Sequence, residues 1–592
     1  MTAVGVATVP AEAEPTREPA GAGRFPVWFR DRHGWIAAGL YLAFILFLDR
    51  HAVAHLNSVC GCARTADPTQ WMWSWVWIPY AITHGLNPLV THLFWYPGPF
   101  DLAAVTLSPA AAIPGIPLDA LFGPVAAFNL LFFAAPVVSG WAAYRLCRYL
   151  SGAPWASIFA GYTYGFSAYE LAHELAHMNL VWVFVPPLIV LVLARLIRAE
   201  VSARRALLQI TGLLIIEFGL STELFFTMAL FIAAGFVIGW LMAPRELRRR
   251  IAGAAAVTFG AGVLTAVVWS YYIYESFQAP PASKGFPPFF PADLVSYFLP
   301  TDMFRLGSAT FAAVTNRIYT SDPTEQNSYL GIPLIVMFVA YGVSTWRRRI
   351  TRTVVLTTFV AFVLSLGVTL TIVGNQTFSL PYHWIENLPL FNLLTPSRLS
   401  LYVSLGVAVG AAIWLAAAHG RRSRVRRWFL ALASLVFLYP NNAFVTPAFL
   451  SRESDFTQPR FFTTSLYRHY IRRGEVVLPL PFSYGPGGLS LLWQADTGMY
   501  FKLASGYFGT VAPPSYAVNP LSLDLVIQTV PPHAARDLNQ LTRTHHVSVI
   551  LVQDGTETQY LPMIRRAGWR LRADVGGIRV YRRAAGGAHP SR

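Results

Sequence analysis

Charged residues are scarce in this chain of 592 residues, only 12% of which carry charge. A soluble globular domain holds about twice that share, so the composition argues against an ordinary soluble protein. Lysine occurs only as Lys284 and Lys502, which makes the formal net charge of +16 almost entirely arginine. The chain also has no Walker-type glycine loop and no internal repeat of clear period, so nothing in it indicates an ATP-driven pump.

Cysteine is rare as well. The three residues Cys60, Cys62 and Cys147 cannot build a disulfide framework, and at most Cys60 and Cys62 pair with each other. The fold must therefore depend on apolar burial rather than on cross-links.

Hydrophobic residues make up 54% of the chain, and the mean hydropathy is +0.45. These values predict a polytopic membrane protein whose helices cross a hydrocarbon core of about 30 Å. No cleavage site follows the first apolar stretch, which is therefore expected to be a retained span. Eleven stretches suit spans: 34–49, 121–144, 153–171, 178–194, 206–221, 223–243, 251–274, 328–346, 353–373, 397–418 and 428–446.

The arginines orient these spans. If the proline-containing segment 102–119 is re-entrant or interfacial, 19 arginines fall on one side of the membrane in five short connections, and six basic residues fall on the other. Short cytoplasmic loops concentrate arginine and lysine, so the arginine-rich side is predicted to be cytoplasmic. The excess charge then reports topology, and no nucleic-acid partner is expected. The N-terminus is predicted inside and the C-terminus outside.

Three regions are expected along the chain. Residues 1–32 are predicted to be a disordered cytoplasmic N-terminus, and residues 33–446 an all-α membrane bundle with a large first outer loop at 50–120. Residues 447–592 are predicted to form an extracytoplasmic α/β domain, with strands at 476–480 and 547–552, helices at 533–545 and 558–567, and a hairpin at 569–583.

The first outer loop contains a carboxylate followed by a tryptophan run. Asp67, Pro68 and Gln70 have the spacing of a helix-capping box, and Trp71, Trp73, Trp75 and Trp77 suit a helix lying at the membrane interface. The same Asp67 is a candidate general base, because a carboxylate at the water–lipid boundary can accept a proton from a hydroxyl. Asp49, at the outer end of the first span, is the second candidate, with a local ion pair to Arg50 or an exposed helix end as the structural alternative.

A second motif follows the third span. His173-Glu174-Leu175-Ala176-His177 matches H-E-x-x-H, which on a helix places two histidines on one face for zinc, with Glu174 as base. A third ligand is needed, and Glu223, at the outer start of another span, is the only plausible candidate in the sequence. The alternative roles of His173 and His177 are contact with an anionic lipid headgroup or hydration of a helix end.

Ionisable groups at membrane depth indicate function or a buried pair. Glu217 lies within a span, while Glu223 and Arg398 lie near outer edges. The guanidinium fork suits phosphate, so a site for the phosphate of a lipid-linked substrate is predicted at the outer headgroup level. Its candidate residues are Arg398, Arg305, Arg64, His173 and His177.

Together these features resemble the GT-C class of membrane glycosyltransferases and, more narrowly, an actinobacterial family of large membrane proteins related to that class. The resemblance covers most of residues 60–410 and, more weakly, 476–583. The stretches that carry it are Asp67-Pro68 with Trp71 to Trp77, His84-Gly85-Leu86-Asn87-Pro88, Tyr96-Pro97-Gly98, Tyr164-Gly165-Phe166-Ser167-x-Tyr169, His173-x-x-x-His177-x-Asn179-Leu180, Tyr329-Leu330-Gly331-Ile332-Pro333 and Pro396-Ser397-Arg398.

The resemblance implies a hexosyl- or pentosyltransferase in the cell membrane. Its donor would be a polyprenyl-phosphate sugar, and its acceptor a cell-envelope glycan or lipid outside the membrane. It also implies that Asp67, with Asp49 as the second candidate, acts as base or binds a divalent cation. The paired acidic motif of the class is missing here, since Arg50 follows Asp49 and Pro68 follows Asp67.

Three other functions stay open at this stage. A carrier or flippase for lipid-linked glycans would need ionisable residues deep in the bundle, of which Glu217 is one. A membrane zinc metalloprotease would use His173, Glu174 and His177. A non-catalytic scaffold would bind wall polymers through its outer domain.

Overall fold

A computed structural model describes residues 31–583, apart from residue 106 and segments 279–289, 308–310, 319–324, 389–390, 392–393, 443–450, 483–487, 509–511 and 527–528. The N-terminal segment predicted to be disordered lies almost wholly outside the described residues. Lys284 and the end of the predicted span 428–446 also lie outside them.

Helices form most of the first 440 residues, and each of the eleven stretches predicted to span contains one. In chain order the helices are α1 (Arg32–Leu48), α2 (Arg50–Ala54), α3 (Asp67–Thr83), α4 (Pro109–Phe122), α5 (Pro124–Ser151), α6 (Pro154–Gly165), α7 (Ala168–His173), α8 (Val185–Ile197), α9 (Ala203–Leu220), α10 (Thr222–Met242), α11 (Arg245–Val268), α12 (Ser270–Gln278), α13 (Ala312–Ile318), α14 (Ile332–Thr345), α15 (Arg349–Ser365), α16 (Ser400–Ala416) and α17 (Arg421–Phe437). Within the described residues, four helical segments are both long and apolar enough to cross a membrane: Pro124–Ser151, Thr222–Met242, Arg245–Val268 and Pro396–Ala416.

Several predicted spans are not continuous helices, and 153–171 and 353–373 show this most clearly. In 153–171 the helix breaks after Gly165, and the Ser167 hydroxyl accepts a hydrogen bond from the Glu170 amide to start α7. Serine is a favoured N-cap because its oxygen satisfies an unpaired helical N–H, so the apolar run contains its own interruption. In 353–373 helix α15 ends at Ser365, and the chain continues into a hairpin of β4 (Thr369–Ile372) and β5 (Asn375–Ser379). Continuous hydropathy concealed both breaks.

The α5–α6 contact is close because glycines face each other. A Cβ added to Gly165 would lie 2.5 Å from the Pro136 carbonyl oxygen and 2.7 Å from the Gly140 nitrogen. Both neighbours are backbone atoms, which cannot move aside as a flexible side chain can. Small residues at this crossing therefore permit the helices to approach.

Gly165→Ala is expected to lower the free energy of unfolding by about 1–3 kcal/mol, because overpacking forces backbone shifts. Gly212→Ala on α9 is the matched control, since its Cβ would meet nothing within 4 Å. Denaturant unfolding of the two purified variants measures the difference. Equal midpoints would show that the α5–α6 contact tolerates a methyl group.

Tryptophans on α3 are buried in protein and do not lie at the lipid interface, which corrects the sequence-based expectation. Trp71, Trp73, Trp75 and Trp77 are each at most 1% exposed. Trp73 stacks on Trp77, with ring centroids 5.5 Å apart, and its Nε1 donates to Gln494 Oε1 at 2.7 Å. Helix α3 is therefore a central packing element between the bundle and the C-terminal region.

The C-terminal region is built around a mixed five-stranded sheet, with strand order β10-β11-β9-β7-β8. Strand β7 pairs in parallel with β8 and β9, and the remaining pairs are antiparallel. Its strands and helices are β7 (Val476–Leu480), β8 (Lys502–Leu503), β9 (Val549–Gln553), β10 (Trp569–Val575), β11 (Ile578–Arg583), α18 (Arg460–Thr463), α19 (Tyr467–Tyr470), α20 (Ser490–Asp496), α21 (Pro514–Ala517), α22 (Pro520–Val526), α23 (Ala534–Thr544) and α24 (Glu557–Arg566). Strands, helices and closing hairpin lie close to the positions that the alternating pattern predicted.

Backbone pairing fixes this sheet to the first loop. The Leu503 amide donates to the Leu93 carbonyl at 2.8 Å, and the Tyr96 amide donates to the Leu503 carbonyl at 3.1 Å. The loop also contains the short pair β2 (Val90–Thr91) and β3 (Phe100–Asp101). A further short pair joins β1 (Val59–Cys60) to β6 (Ser454–Asp455), which follows the last bundle helix. The first loop and the C-terminal region therefore pack as one layer against the bundle.

Candidate functional site

Asp67 opens helix α3 and is half-buried. The N-cap position belongs to Ala66, and no side chain caps the helix, so the capping-box interpretation of Asp67 is wrong. Its Oδ1 instead accepts a hydrogen bond from the Tyr507 hydroxyl at 2.9 Å and one from Gln70 Nε2 at 3.5 Å. The carboxylate is thus oriented by a tyrosine of the C-terminal region.

Asp49 has a different environment. It is 2% exposed, and it pairs neither with Arg50 nor with solvent, which corrects both structural alternatives. Arg452 donates from Nε to Asp49 Oδ1 at 2.6 Å and from Nη2 to Glu174 Oε2 at 2.8 Å. A single buried guanidinium therefore holds two carboxylates from distant parts of the chain, and we call these three residues the Arg452 triad.

Strand pairing explains how Arg452 reaches this position. Residue 452 lies just before β6, whose Ser454 and Asp455 pair with Cys60 and Val59 of β1. Next to it, Glu453 Oε1 accepts from the Ala52 amide at 2.8 Å. Cys60 and Cys62 form a disulfide in the same loop. Residues 452–455 are thereby held against the C-terminal end of α1.

A second cluster surrounds Glu325. Arg398 donates to both oxygens of Glu325 and also bonds Glu223. His173 Nε2 lies 3.7 Å and His177 Nε2 3.6 Å from the Glu325 carboxylate. We call these five residues the Glu325 cluster. The structure thus brings together Arg398, His173, His177 and Glu223 as predicted candidates, around a carboxylate that the sequence analysis did not single out.

The H-E-x-x-H geometry for zinc is not formed. Helix α7 ends at His173 and Glu174 is its C-cap, so the two histidines do not share one regular helix. Their rings are 5.4 Å apart, but Glu174 is bonded to Arg452 and does not face them. The motif instead divides between two clusters, with His173 and His177 in one and Glu174 in the other.

Charges in the Glu325 cluster are only partly balanced. Burial alone would raise the pKa of Glu325, but Arg398 and then His177 hold it well below its usual range. Burial lowers the pKa of His173 to about 3, so its imidazole is neutral. Its Nδ1 lies 3.0 Å from the Tyr169 carbonyl oxygen, which places the ring proton on Nδ1 and leaves Nε2 as an acceptor.

The other predicted phosphate ligands lie apart. Arg64, three residues before Asp67, is half-buried, and its Nε has no hydrogen-bond partner among the residues described. Arg305 is exposed, and its amide donates to the Tyr439 carbonyl at 2.9 Å. Glu217 is fully buried, and neither of its carboxylate oxygens has a hydrogen-bond partner in the described part of the chain.

The described side chains that could ligate a divalent cation are not arranged to bind one. Among residues 31–583, leaving aside the gaps given above, no group of three histidine, cysteine or acidic side chains is placed to hold a metal. The nearest approach, His173, His177 and Glu325, has the Arg398 guanidinium bonded to its carboxylate, and that positive charge opposes a cation. No step is therefore assigned to a metal here.

The Arg452 triad predicts a pH dependence of stability. One guanidinium cannot neutralise two buried carboxylates, and burial raises the pKa of Glu174 to about 7 despite Arg452, with Asp49 adding to the rise. A folded-state pKa above the unfolded value contributes stability at low pH that is lost as pH rises. We expect a loss on the order of 3 kcal/mol between about pH 4.5 and 7.

Glu174→Gln should flatten this dependence, because the amide cannot ionise. Glu246→Gln, at an exposed position on α11, is the control. Unfolding midpoints of the purified proteins across the pH range measure the slope. A slope unchanged in the Glu174 variant would contradict the assignment.

Several site residues escaped the sequence analysis. Arg452, Glu325 and Tyr507 stand in no motif, and each reaches its partner across at least 73 residues of sequence. Loop pairing such as β1–β6 involves too few residues to leave a pattern. Charged residues are rare in this sequence, and a buried one needs a partner of opposite charge. That rarity was the only signal in the sequence for these contacts.

Comparisons with known proteins agree with this architecture. The model of the DUF6311 family, a domain of unknown function, matches residues 36–439. No curated protein matches the chain in sequence. The arabinofuranosyltransferase AftD from mycobacteria is similar in structure, with a TM-score of 0.56, 14% identity and coverage of 93% of this chain and 41% of AftD. An oligosaccharyltransferase from Archaeoglobus fulgidus gives a TM-score of 0.51, 12% identity and coverage of 95% and 76%.

These likenesses establish the fold. The chain spans about two fifths of the length of AftD, so the activity and substrates of that protein do not transfer to it as a whole. Both neighbours are GT-C glycosyltransferases, and the chain shares with them a membrane bundle of this type. The chain belongs to the DUF6311 family, and its fold is that of a GT-C-type membrane glycosyltransferase.

Proposed function

We propose that the protein transfers a hexose or pentose from a polyprenyl-phosphate donor to a cell-envelope acceptor outside the membrane. One contact carries the proposal. The Ala63 amide donates to the Leu175 carbonyl at 2.7 Å, which ties the loop before Asp67 to the turn between His173 and His177. The candidate base and the candidate phosphate ligands are thereby held on neighbouring segments of a GT-C-type fold.

Asp67 is the base in this proposal. It is half-buried and can meet an acceptor, whereas Asp49 is enclosed and paired with Arg452. The Asp67 carboxylate takes the proton of the acceptor hydroxyl, whose oxygen bonds to the anomeric carbon of the donor sugar. The bond from that carbon to the phosphate oxygen breaks, and polyprenyl phosphate leaves. Attack opposite the leaving group inverts the anomeric centre.

The Glu325 cluster is the proposed site of the donor phosphate. Arg398 and His177 already face an anionic group, the Glu325 carboxylate. The neutral His173, whose Nε2 is an acceptor, lines the same site without donating to that group. A phosphate has the same charge sign and accepts the same bidentate bonds from arginine. Binding would therefore displace Glu325 from Arg398. Arg64 and Arg305 lie apart from this cluster and are left out of the proposed phosphate site.

Orientation follows from the arginine-rich connections. With those on the cytoplasmic side, the first loop, the Glu325 cluster and the C-terminal sheet face outward. Nucleotide sugars are absent there, so a lipid-linked donor is the chemically suitable one. The proposal thus includes a cytoplasmic N-terminus and an extracytoplasmic C-terminal region.

Reconstitution tests the proposal. The purified protein in proteoliposomes is supplied with radiolabelled polyprenyl-phosphate hexoses and pentoses and with cell-envelope glycans, and label in the glycan is measured. Transfer is the expected result. Folded protein that moves the donor across the bilayer without any transfer would contradict it and would support the flippase alternative.

A further inference from the structure

An arginine-lined groove lies on the surface of the C-terminal region, away from both clusters described above. It has a volume of about 630 Å³. Its main wall is one face of α23, where Arg536, Asn539, Gln540 and Arg543 follow one another at helical spacing of three, one and three residues. Arg566, at the end of α24, completes it.

The guanidinium groups in the groove have no acidic partner. Arg536, Arg543 and Arg566 are all exposed, and no ion pair involves them within the described part of the chain. By contrast, Arg579 and Arg582 of the same sheet are paired with Asp574 and Glu475.

Arg583 adds further positive charge beside the groove. Its Nη2 donates to Asn539 Oδ1 and to Thr542 Oγ1, both at 3.0 Å, and its guanidinium lies over the Trp569 ring. Burial, and then the charge of Arg543, lowers the pKa of Arg583. Arg543 lies one helical turn from Asn539, the partner of Arg583, so both guanidiniums add positive potential at this wall of the groove and favour an anionic ligand.

The spacing of the charges selects the kind of ligand. Residues seven apart on a helix lie about 10 Å apart along its axis, so Arg536 and Arg543 suit two anionic groups on one chain rather than one small ion. Between them the amides of Asn539 and Gln540 offer donors and acceptors for hydroxyls. The lining of the groove, as far as the structure describes it, includes no aromatic ring on which nucleic-acid bases would stack.

We propose that this groove binds an anionic glycan, a hydroxyl-rich chain that bears carboxylate or phosphate groups. The inference rests on the outward orientation proposed above but not on sugar transfer, because none of the groove residues belongs to the Arg452 triad, the Glu325 cluster or the surroundings of Asp67. It gives the C-terminal region a role of its own, namely holding an envelope polymer beside the membrane.

Binding measurements on the full chain in nanodiscs test the proposal. The probes are tetragalacturonate for carboxylate, maltose phosphate for phosphate, neutral maltotetraose, and vesicles of phosphatidylglycerol. The test variant is Arg536→Gln/Arg543→Gln/Arg566→Gln. The matched control, Arg473→Gln/Arg570→Gln/Arg572→Gln, removes three exposed charges elsewhere in the same region.

We expect at least one of the two anionic sugars to bind, with affinity falling about tenfold or more in the test variant and less than about twofold in the control. Maltotetraose should bind far more weakly. Equal losses in both variants would overturn the proposal in favour of a general positive field. Arginine-dependent binding of the vesicles but of neither anionic sugar would overturn it in favour of a lipid surface, and no binding at all would also end it. Because the readout is binding, a failure here is distinct from a failure of sugar transfer.

Discussion

Arg452→Met is expected to lower the free energy of unfolding by about 3–5 kcal/mol, because it leaves Asp49 and Glu174 buried without their cation. Both carboxylates are at most 3% exposed, so water cannot replace the lost guanidinium. Methionine keeps much of the volume of the side chain, which limits the effect of a cavity. The loss of charge compensation is therefore the main cause.

The control for this variant is Arg473→Met, a change of the same chemistry at an exposed position of the C-terminal region. Denaturant unfolding of the purified proteins measures the difference, and the control should remain within about 0.5 kcal/mol of the unmodified chain. The triple variant Arg452→Met/Asp49→Asn/Glu174→Gln carries no buried charge at this place and should regain part of the loss. If Arg452→Met unfolds at the same midpoint as the control, the triad contributes nothing to stability.

The Arg452 triad is also expected to affect how the C-terminal region packs on the first loop. Arg452 and Glu453 reach α1 and α2 only when β6 pairs with β1, and that pairing has just two residue pairs. A pairing this short is weak alone, so the buried ion pairs and the Glu453 contact must help to hold it. Loss of Arg452 is thus expected to loosen the 451–456 segment as well, which would appear as increased amide hydrogen exchange there.

Periodicity and hydropathy predicted the helices because burial in an apolar medium requires long apolar runs. Each predicted span contains a helix, and the GT-C-type fold inferred from the motifs agrees with the structural neighbours. Some local departures from the predicted helices came from single polar groups. One example is Ser167, whose cap divides a run that hydropathy treats as continuous.

The candidate site was less accessible to sequence reasoning, because its contacts are non-local. Motif spacing located His173, His177 and Arg398, but it could not show that Glu325 would stand between them. Glu174 was wrongly predicted as the base of a zinc metalloprotease for a similar reason. Helix α7 ends one residue before Glu174, and the Glu174 side chain bonds to Arg452. The tryptophans of α3 were wrongly predicted to lie at the lipid interface, because a helix at that interface and a helix buried between the bundle and the C-terminal region can have the same composition.

Asp67→Asn is expected to reduce kcat for sugar transfer by about 10²–10⁴-fold, the range typical of a general base. The amide nearly preserves the size of the carboxylate and can still accept the Tyr507 hydrogen bond, so the KM for the donor and the free energy of unfolding should change little. Steady-state transfer in proteoliposomes measures kcat and KM, and denaturant unfolding of the same preparations shows whether the fold is retained.

Asp49→Asn separates this catalytic role from a structural one. Asp49 is bonded to a buried arginine, so its replacement should lower stability, while folded protein retains most of its kcat. The reverse pattern, with full transfer in the Asp67 variant and none in folded Asp49→Asn protein, would move the base to Asp49 and require Arg452 to release it during the reaction. Tyr507→Phe refines the result, because it removes the hydroxyl that stabilises the ionised carboxylate. The acid limb of the pH–rate profile should then move to higher pH, a change that a purely structural contact would not produce.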